Sequence, residues 1–399
     1  TKLIQSVLNR NMRLAFRIVV DGRDQGQNTP LYVFEAGAKW YSDPNSGKET
    51  VRKSPYPDDP VFQEKYTTFI EAFAKQFNNP DIVDFIDGYG LGKWGEAHSM
   101  VYEDYSNKAK VFDWVTSLYA RCFDRIPLLI NYHRLVAANN VTGWGEVAPD
   151  TDYLLQSAID KGYSLRHDAF GMNGYYQDWE KEYAARWNYK RPIIMEGGWI
   201  TGGTHRYWID PSGEYRQGHP EDVRQGEFNA SAEAHVNMMD FRIGDETNSW
   251  FTKSFSLVKR FIAEGGYRLY PDRISLPVKV NTGQEIVIEH RWNNLGWGYC
   301  PTNIPQWNQK YKVAFALLDS KNSVMRIYVD KQTDLSRWLK GTPTSYKFNL
   351  KLEGAPTGNY SWAVGLVDVT KKNNIGLQMA VSEGLLESGW VKLLPVTIR

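Results

Sequence analysis

Two glutamates, Glu96 and Glu196, stand 100 positions apart, each just past an apolar, strand-like run. Glu96 closes Gly92-Lys93-Trp94-Gly95-Glu96, downstream of Ile82–Ile86. Glu196 closes Pro192-Ile193-Ile194-Met195-Glu196 and is followed by Gly197-Gly198-Trp199. Two carboxylates flanking a bond, beside aromatic rings on which a sugar can stack, are the equipment of glycoside hydrolysis. A covalent, retaining route needs the carboxyls about 5–5.5 Å apart. It also needs their pKa values split, one acid protonated and one ionised. Trp94 would desolvate Glu96 and raise its pKa. The structural alternatives are a turn carboxylate for Glu96 and an ion pair with Arg17 or Arg191 for Glu196.

Other residues could line the same cleft. Asn131-Tyr132-His133-Arg134 follows one buried strand and Arg166-His167-Asp168 ends another. At strand ends these would hydrogen-bond sugar hydroxyls, or serve as internally satisfied polar groups. Trp40, Trp199 and Trp208 fall in loops rich in Gly, Tyr and charge, as stacking platforms or ordinary packing. Lys39, His205 and Arg206 read first as solvated loop charges, and second as a preference for a uronate or sulfated sugar. Asp87 either points inward as support or accepts turn amides.

The elements that must hold these groups are legible from periodicity. Helical apolar spacing runs through Ile4, Val7 and Leu8, through Phe62–Phe77, through Val111–Cys122, and through Trp250–Ile262. Strand candidates lie between: 13–20, 82–86, 127–131, 164–169, 192–196 and 235–241. Alternating strands and helices imply a parallel sheet. With no GxGxxG after the first strand and no GxxxxGK[ST], a (β/α)8 barrel is expected over a doubly wound nucleotide fold. An eight-strand count falls short by one or two. The first strand is missing, and the third would lie near 31–36 or be irregular.

After Gly265-Gly266 the period changes from 3.6 to 2, with Tyr270-Pro271-Asp272-Arg273 as the junction. Strand patterns then recur at 285–292, 312–318, 325–329, 346–352, 360–367 and 390–396. An all-β, antiparallel sandwich over 269–399 is expected, beside a catalytic barrel over 1–268.

From Glu96 the next strands end near Asn131, near Asp168 and at Glu196, which places the glutamates three strands apart. In this the sequence resembles the clan A glycoside hydrolases, a (β/α)8 superfamily with its acid/base on strand four and its nucleophile on strand seven. The resemblance covers roughly residues 1–268, and the β region looks like the accessory domain that many such enzymes carry. Trp94-Gly95-Glu96-Ala97-His98 is similar to a WGE-x-H pattern in bacterial barrel-plus-sandwich proteins. The resemblance implies a retaining β-glycosidase acting on a poly- or oligosaccharide, with Glu96 as acid/base and Glu196 as nucleophile. Arg17 matches the arginine that these enzymes keep against the nucleophile. Gly95 departs from the pattern, because most families carry Asn there for the sugar 2-hydroxyl. Asn131 or His98 would then take that role, or the site is altered. The competing reading is a non-catalytic carbohydrate-binding protein on a degenerate barrel.

The totals bound the partners. Net charge is +1 without long single-sign runs, which leaves no electrostatic footprint for nucleic acid. The 15 Trp and 24 Tyr suit sugar-facing platforms as well as large cores. Seven His show no HxH or HExxH pattern and the two cysteines no CxxC, so no metal or cofactor is expected. A disulfide between Cys122 and Cys300 is not expected. No run of about 18 apolar residues predicts a membrane span. A secreted, periplasmic or cell-surface location fits the polysaccharide reading, although no signal peptide is visible. The sequence fixes neither the sugar nor the oligomeric state.

Overall fold

The computed structural model describes residues 2–22, 26–42, 52–138, 148, 150–172, 175–201, 215–216 and 218–399. Two compact units divide the chain: Thr1–Ala234 with Met239–Lys253, and His235–Met238 with Ser254–Arg399.

The first unit runs α1 (Lys2–Leu8), β1 (Leu14–Arg17), α2 (Leu31–Glu35), β2 (Trp40–Ser42), β3 (Lys53–Pro55), α3 (Pro60–Phe77) and β4 (Val83–Asp87). It continues through α4 (Lys108–Cys122), β5 (Leu128–Asn131), α5 (Thr151–Asp160), β6 (Ser164–His167), α6 (Asp178–Trp187), β7 (Ile193–Glu196), α7 (Pro220–Glu233), β8 (Met238–Asp240) and α8 (Asp245–Lys253). Six strands make one sheet in the order β1-β4-β5-β6-β7-β8. Its pairs from β1 through β7 are parallel. Among the described residues this is a parallel half-barrel, not the closed eight-stranded barrel expected. The segment 31–36 is not the third strand. It follows Pro30 as a short helix that buries Val33 and Phe34.

α3 shows why these residues form these elements. Asp59 caps it by accepting the Phe62 N–H at 2.8 Å, and Pro60 occupies the first turn, where its missing N–H costs nothing. Phe62, Tyr66, Ile70 and Ala74 recur at helical spacing and form its buried face. The run Trp250–Ile262 is two helices rather than one, because the chain breaks at Ser254 between α8 and α9 (Phe255–Glu264).

The strand ends place the chemistry. β1, β4, β5, β6, β7 and β8 finish on Arg17, Asp87, Asn131, His167, Glu196 and Asp240. Upstream of these, the strands bury Val83, Phe85, Ile86, Leu128, Leu129, Ile130, Leu165, Ile193, Ile194 and Met195. An apolar sheet thus carries polar groups at its carboxyl edge, where parallel α/β proteins build their sites.

The second unit is a separate β-rich region. It holds α9, β9 (Leu269–Ser275), β10 (Lys279–Val280), β11 (Glu285–Asn294), β12 (Tyr311–Leu318), β13 (Val324–Asp330), β14 (Thr344–Lys351), β15 (Gly358–Asp368), β16 (Asn374–Leu377), β17 (Leu386–Glu387) and β18 (Trp390–Ile398). The residues read as a junction, 270–273, form β9, an edge strand of the sheet β14-β11-β9. Pro271 is tolerated there because it sits opposite a register shift at Arg291/Trp292. The larger sheet runs β10-β18-β15-β12-β13. Its β10–β18 pair is parallel, a departure from the purely antiparallel expectation. Side chains from both sheets share one core, including Ile288 and Trp292 from β11 and Phe315, Leu317, Trp362 and Val364 from β12 and β15. Trp292 stacks on Trp338 with ring centres 4.6 Å apart, and its indole N–H reaches His290 Nδ1 at 2.8 Å. Trp292, Trp297, Trp338 and Trp362 are buried indoles of this unit whose N–H groups each find an acceptor.

Candidate active site

At the carboxyl edge of the sheet, Arg17 binds three carboxylates at once. Its Nε donates to Asp87 Oδ2 at 2.6 Å, Nη1 to Glu96 Oε1 at 2.7 Å and Nη2 to Glu196 Oε2 at 2.9 Å. The two glutamates are therefore separated by one guanidinium and two hydrogen bonds. Arg166 adds a bond from Nε to Glu196 Oε2 at 3.0 Å, a second from Nη2 to the same oxygen, and one from Nη2 to Asp240 Oδ2 at 3.2 Å. Arg242 completes the set, with Nη1 on Glu196 Oε1 at 2.7 Å and Nη2 on Asp168 Oδ1. Five carboxylates and three guanidiniums thus form one connected network.

Glu96 reaches the network from a loop and not from the strand end. After Asp87 the chain turns through Gly90, Gly92, Trp94, Gly95, Ala97 and Ser99, all with positive φ. At Gly95 φ is +76°, and a Cβ would lie 2.5 Å from the Ile18 carbonyl oxygen. No side chain fits, asparagine included, which gives the departure at Gly95 a steric cause. Gly95→Asn is expected to displace Glu96 from Arg17 and to lower stability by about 1–3 kcal/mol. Urea unfolding checks the stability, and the crystal structure of the variant checks the displacement.

Electrostatics separate the carboxyls, though not as Trp94 suggested. Burial alone would raise Glu196, but the charges of Arg166, Arg17 and Arg242 outweigh it and hold the carboxyl well below its usual range. Burial also raises Glu96, yet Arg17 and a hydrogen bond from His98 leave it lowered. Trp94 desolvation therefore does not decide the Glu96 pKa. The carboxyl pushed upward in this network is Asp168. Burial and the charges of Glu96 and Glu196 raise it to about 6 against the opposing pull of Arg242.

The remaining sequence-named residues fall into three places. His98 is fully buried, with Nε2 3.2 Å from Glu96 Oε2 and Nδ1 2.9 Å from Ser99 Oγ, so it supports Glu96 instead of meeting a sugar. Asn131 donates to the Glu96 backbone oxygen at 3.2 Å and holds the loop. His133, Arg134 and His167 lie beneath the surface with Glu180, and burial removes them from substrate contact. Trp199, 43% exposed, stacks under Arg242 with its ring centre 4.9 Å from Cζ, at the network's rim. Trp40 lies on β2 under the Lys53 ammonium at 4.6 Å. Lys39 pairs with Glu103. His205, Arg206 and Trp208 lie outside the described residues.

His133, His167 and Glu180 have ligand-type atoms within 4.8 Å of one another. His133 is not set up as a ligand. The Leu135 N–H donates to His133 Nδ1 at 3.0 Å, which leaves the proton on Nε2, and Arg134 Nη1 occupies Glu180 Oε1 at 3.1 Å.

Sequence reasoning missed Asp240 and Arg242, although strand-end logic applied to 235–241 would have found the first. It also missed two glutamates behind β7. Glu227 Oε1 accepts the Gly198 N–H at 2.5 Å. Glu246 Oε1 accepts the N–H groups of Ile200 and Thr201 at 2.9 and 2.8 Å, and the Thr201 hydroxyl at 2.6 Å. Together they fix the turn that carries Trp199. Burial pushes Glu227 up to about 7. Its folded pKa therefore exceeds the unfolded value of about 4.3. Its contribution to stability is full below that value and is lost as pH rises through 7. In Glu227→Gln that loss should vanish from a series of urea melts between pH 4 and 8.

No protein-family profile matches the chain, and no curated protein matches it. Among solved structures, it is similar to the endo-β-1,4-mannanase from Thermotoga petrophila at 10% identity and a TM-score of 0.40, over 99% of this chain and 81% of that one. It is similar to endo-glycoceramidase II from Rhodococcus sp. at 11% identity and a TM-score of 0.33, over 83% and 80%. A third of this chain is similar to a CARDB domain from Pyrococcus furiosus, at 14% identity, a TM-score of 0.20 and 89% of that chain. At these scores the likenesses add nothing to what the site's geometry carries. No described helix is long and apolar enough to cross a membrane.

Proposed function

We infer that this chain is a retaining β-glycoside hydrolase acting on an oligo- or polysaccharide, with Glu196 as the nucleophile. The observation that carries the reading is Glu196 itself. It ends a parallel strand, is kept ionised by three arginines, and is joined through Arg17 to a second glutamate. An ionised carboxylate fixed at a strand end is the group that attacks an anomeric carbon. Trp199, three residues on, gives a sugar ring a surface to stack on.

Hydrolysis of a panel of aryl β-glycosides tests the function, with Glu196→Gln as the control. Release of aryl alcohol by the unaltered chain and not by the variant supports it. One observation favours a second reading, a carbohydrate-binding protein without turnover: neither Glu96 nor Glu196 is held protonated. Sugar binding by calorimetry, with no release of any aryl alcohol, would put that reading first.

A further inference from the structure

Proton delivery asks something specific of a carboxyl group: an oxygen that can carry the proton toward the leaving group. Both oxygens of Glu96 are already engaged. Its Oε1 accepts from Arg17 and its Oε2 lies 3.2 Å from His98 Nε2. With Nε2 unprotonated, a proton taken at Oε2 would lie between Glu96 and His98. Glu196 is engaged on both oxygens by arginines, which suits an attacking carboxylate and not an acid.

Asp168 differs. Its Oδ1 accepts the Ala169 N–H at 2.7 Å and pairs with Arg242, while among the described residues Oδ2 makes no hydrogen bond or ion pair. Its side chain is 19% exposed, against 5% for Glu96 and 7% for Glu196. Arg242 ties Asp168 to Glu196 as Arg17 ties Glu96 to it.

We propose that Asp168, through its free Oδ2, is the proton donor and acceptor of this site, and that Glu96 with His98 is a positioning element. The inference rests on the hydrolase reading above and assigns one step of it. Glu196 Oε1, which carries a single arginine bond, attacks the anomeric carbon. The glycosidic C–O bond breaks, and its electron pair leaves on the departing oxygen, which takes the proton from Asp168 Oδ2. A water then gives its proton back to Asp168 while its oxygen attacks the anomeric carbon, which releases Glu196 as carboxylate. The charged groups facing Asp168 are Arg242, Glu96, Glu196 and Arg17. Their sum with burial places it at about 6, so Asp168 and Glu196 are the pair of carboxyls with pKa values pushed apart.

The experiment compares Asp168→Asn and Glu96→Gln in the full chain on 2,4-dinitrophenyl and on unactivated alkyl β-glycosides. Asp168→Asn should lose roughly 10²–10⁴-fold on the alkyl glycosides and little on the dinitrophenyl ones, which need no proton to depart. The fall of kcat/KM as pH rises past about 6 should disappear with it. Azide should rescue Asp168→Ala and give the β-glycosyl azide. Glu96→Gln should lose similarly on both leaving groups and gain nothing from azide. The reverse pattern, leaving-group dependence and azide rescue in the Glu96 variants alone, overturns the assignment but leaves the hydrolase reading standing. No turnover by the unaltered chain on any glycoside sinks the hydrolase reading and this assignment together.

Discussion

Glu196→Gln is expected to abolish turnover while sugar binding persists. The amide keeps the shape of the side chain and one acceptor oxygen for the arginines. It removes the negative charge that would attack the anomeric carbon. Loss of a catalytic nucleophile in hydrolases costs on the order of 10⁶ in kcat, so the variant should fall to the background of the assay. Binding should weaken far less, because Trp199 is untouched. Paired measurements of kcat and of Kd by calorimetry check both halves. A Glu196→Gln variant with near-normal kcat would remove Glu196 from the chemistry.

The second large effect is on stability. Arg17→Met should destabilise the first unit by about 3 kcal/mol, the lower end of the range for breaking a buried pair. Arg17 keeps a fifth of its side chain exposed, and Arg166 and Arg242 still face Glu196. Asp87 and Glu96 would lose their shortest cationic partner. The pH dependence follows from the same bonds. Glu96 and Glu196 are lowered in the fold, so their stabilising contribution is present above the unfolded value of about 4.3. It is lost as pH falls through their folded values. Without Arg17 those folded values rise, and acid unfolding, followed by circular dichroism, should begin at higher pH than in the unaltered chain.

Part of this was legible in the sequence, for reasons of periodicity. β4, β5, β6 and β7 are short apolar runs bounded by turn residues, and a strand's end is where a parallel sheet offers its groups. The same pattern put Asn131, His167 and Glu196 at strand ends, whereas Arg17 came from the resemblance and lies inside the run read as 13–20. What escaped was whatever depends on three-dimensional neighbours. Val33 and Phe34 suit a strand or a helix equally, and Pro30 with local packing made a helix. Pro271 reads as a breaker, but an edge position beside a register shift accepts it. Trp94 next to Glu96 in sequence suggested desolvation, while the deciding charge comes from Arg17, 79 residues away, with a hydrogen bond from His98. Glu227 and Glu246 sit on helices, where a glutamate reads as a solvent-facing residue. Only the fold shows that each faces backbone N–H groups behind β7.

The network of Arg17, Arg166 and Arg242 with its carboxylates has a thermal consequence. Removing ions from water is unfavourable at 25 °C, but that penalty shrinks on warming because the hydration of charges becomes less favourable. Apolar burial, which holds the strands beneath, levels off over the same range. Heating therefore moves the balance between the two layers of this sheet. The charged rim loses relatively less than the greasy interior, so the cleft is set to stay assembled up to the temperature at which the strands that carry it come apart.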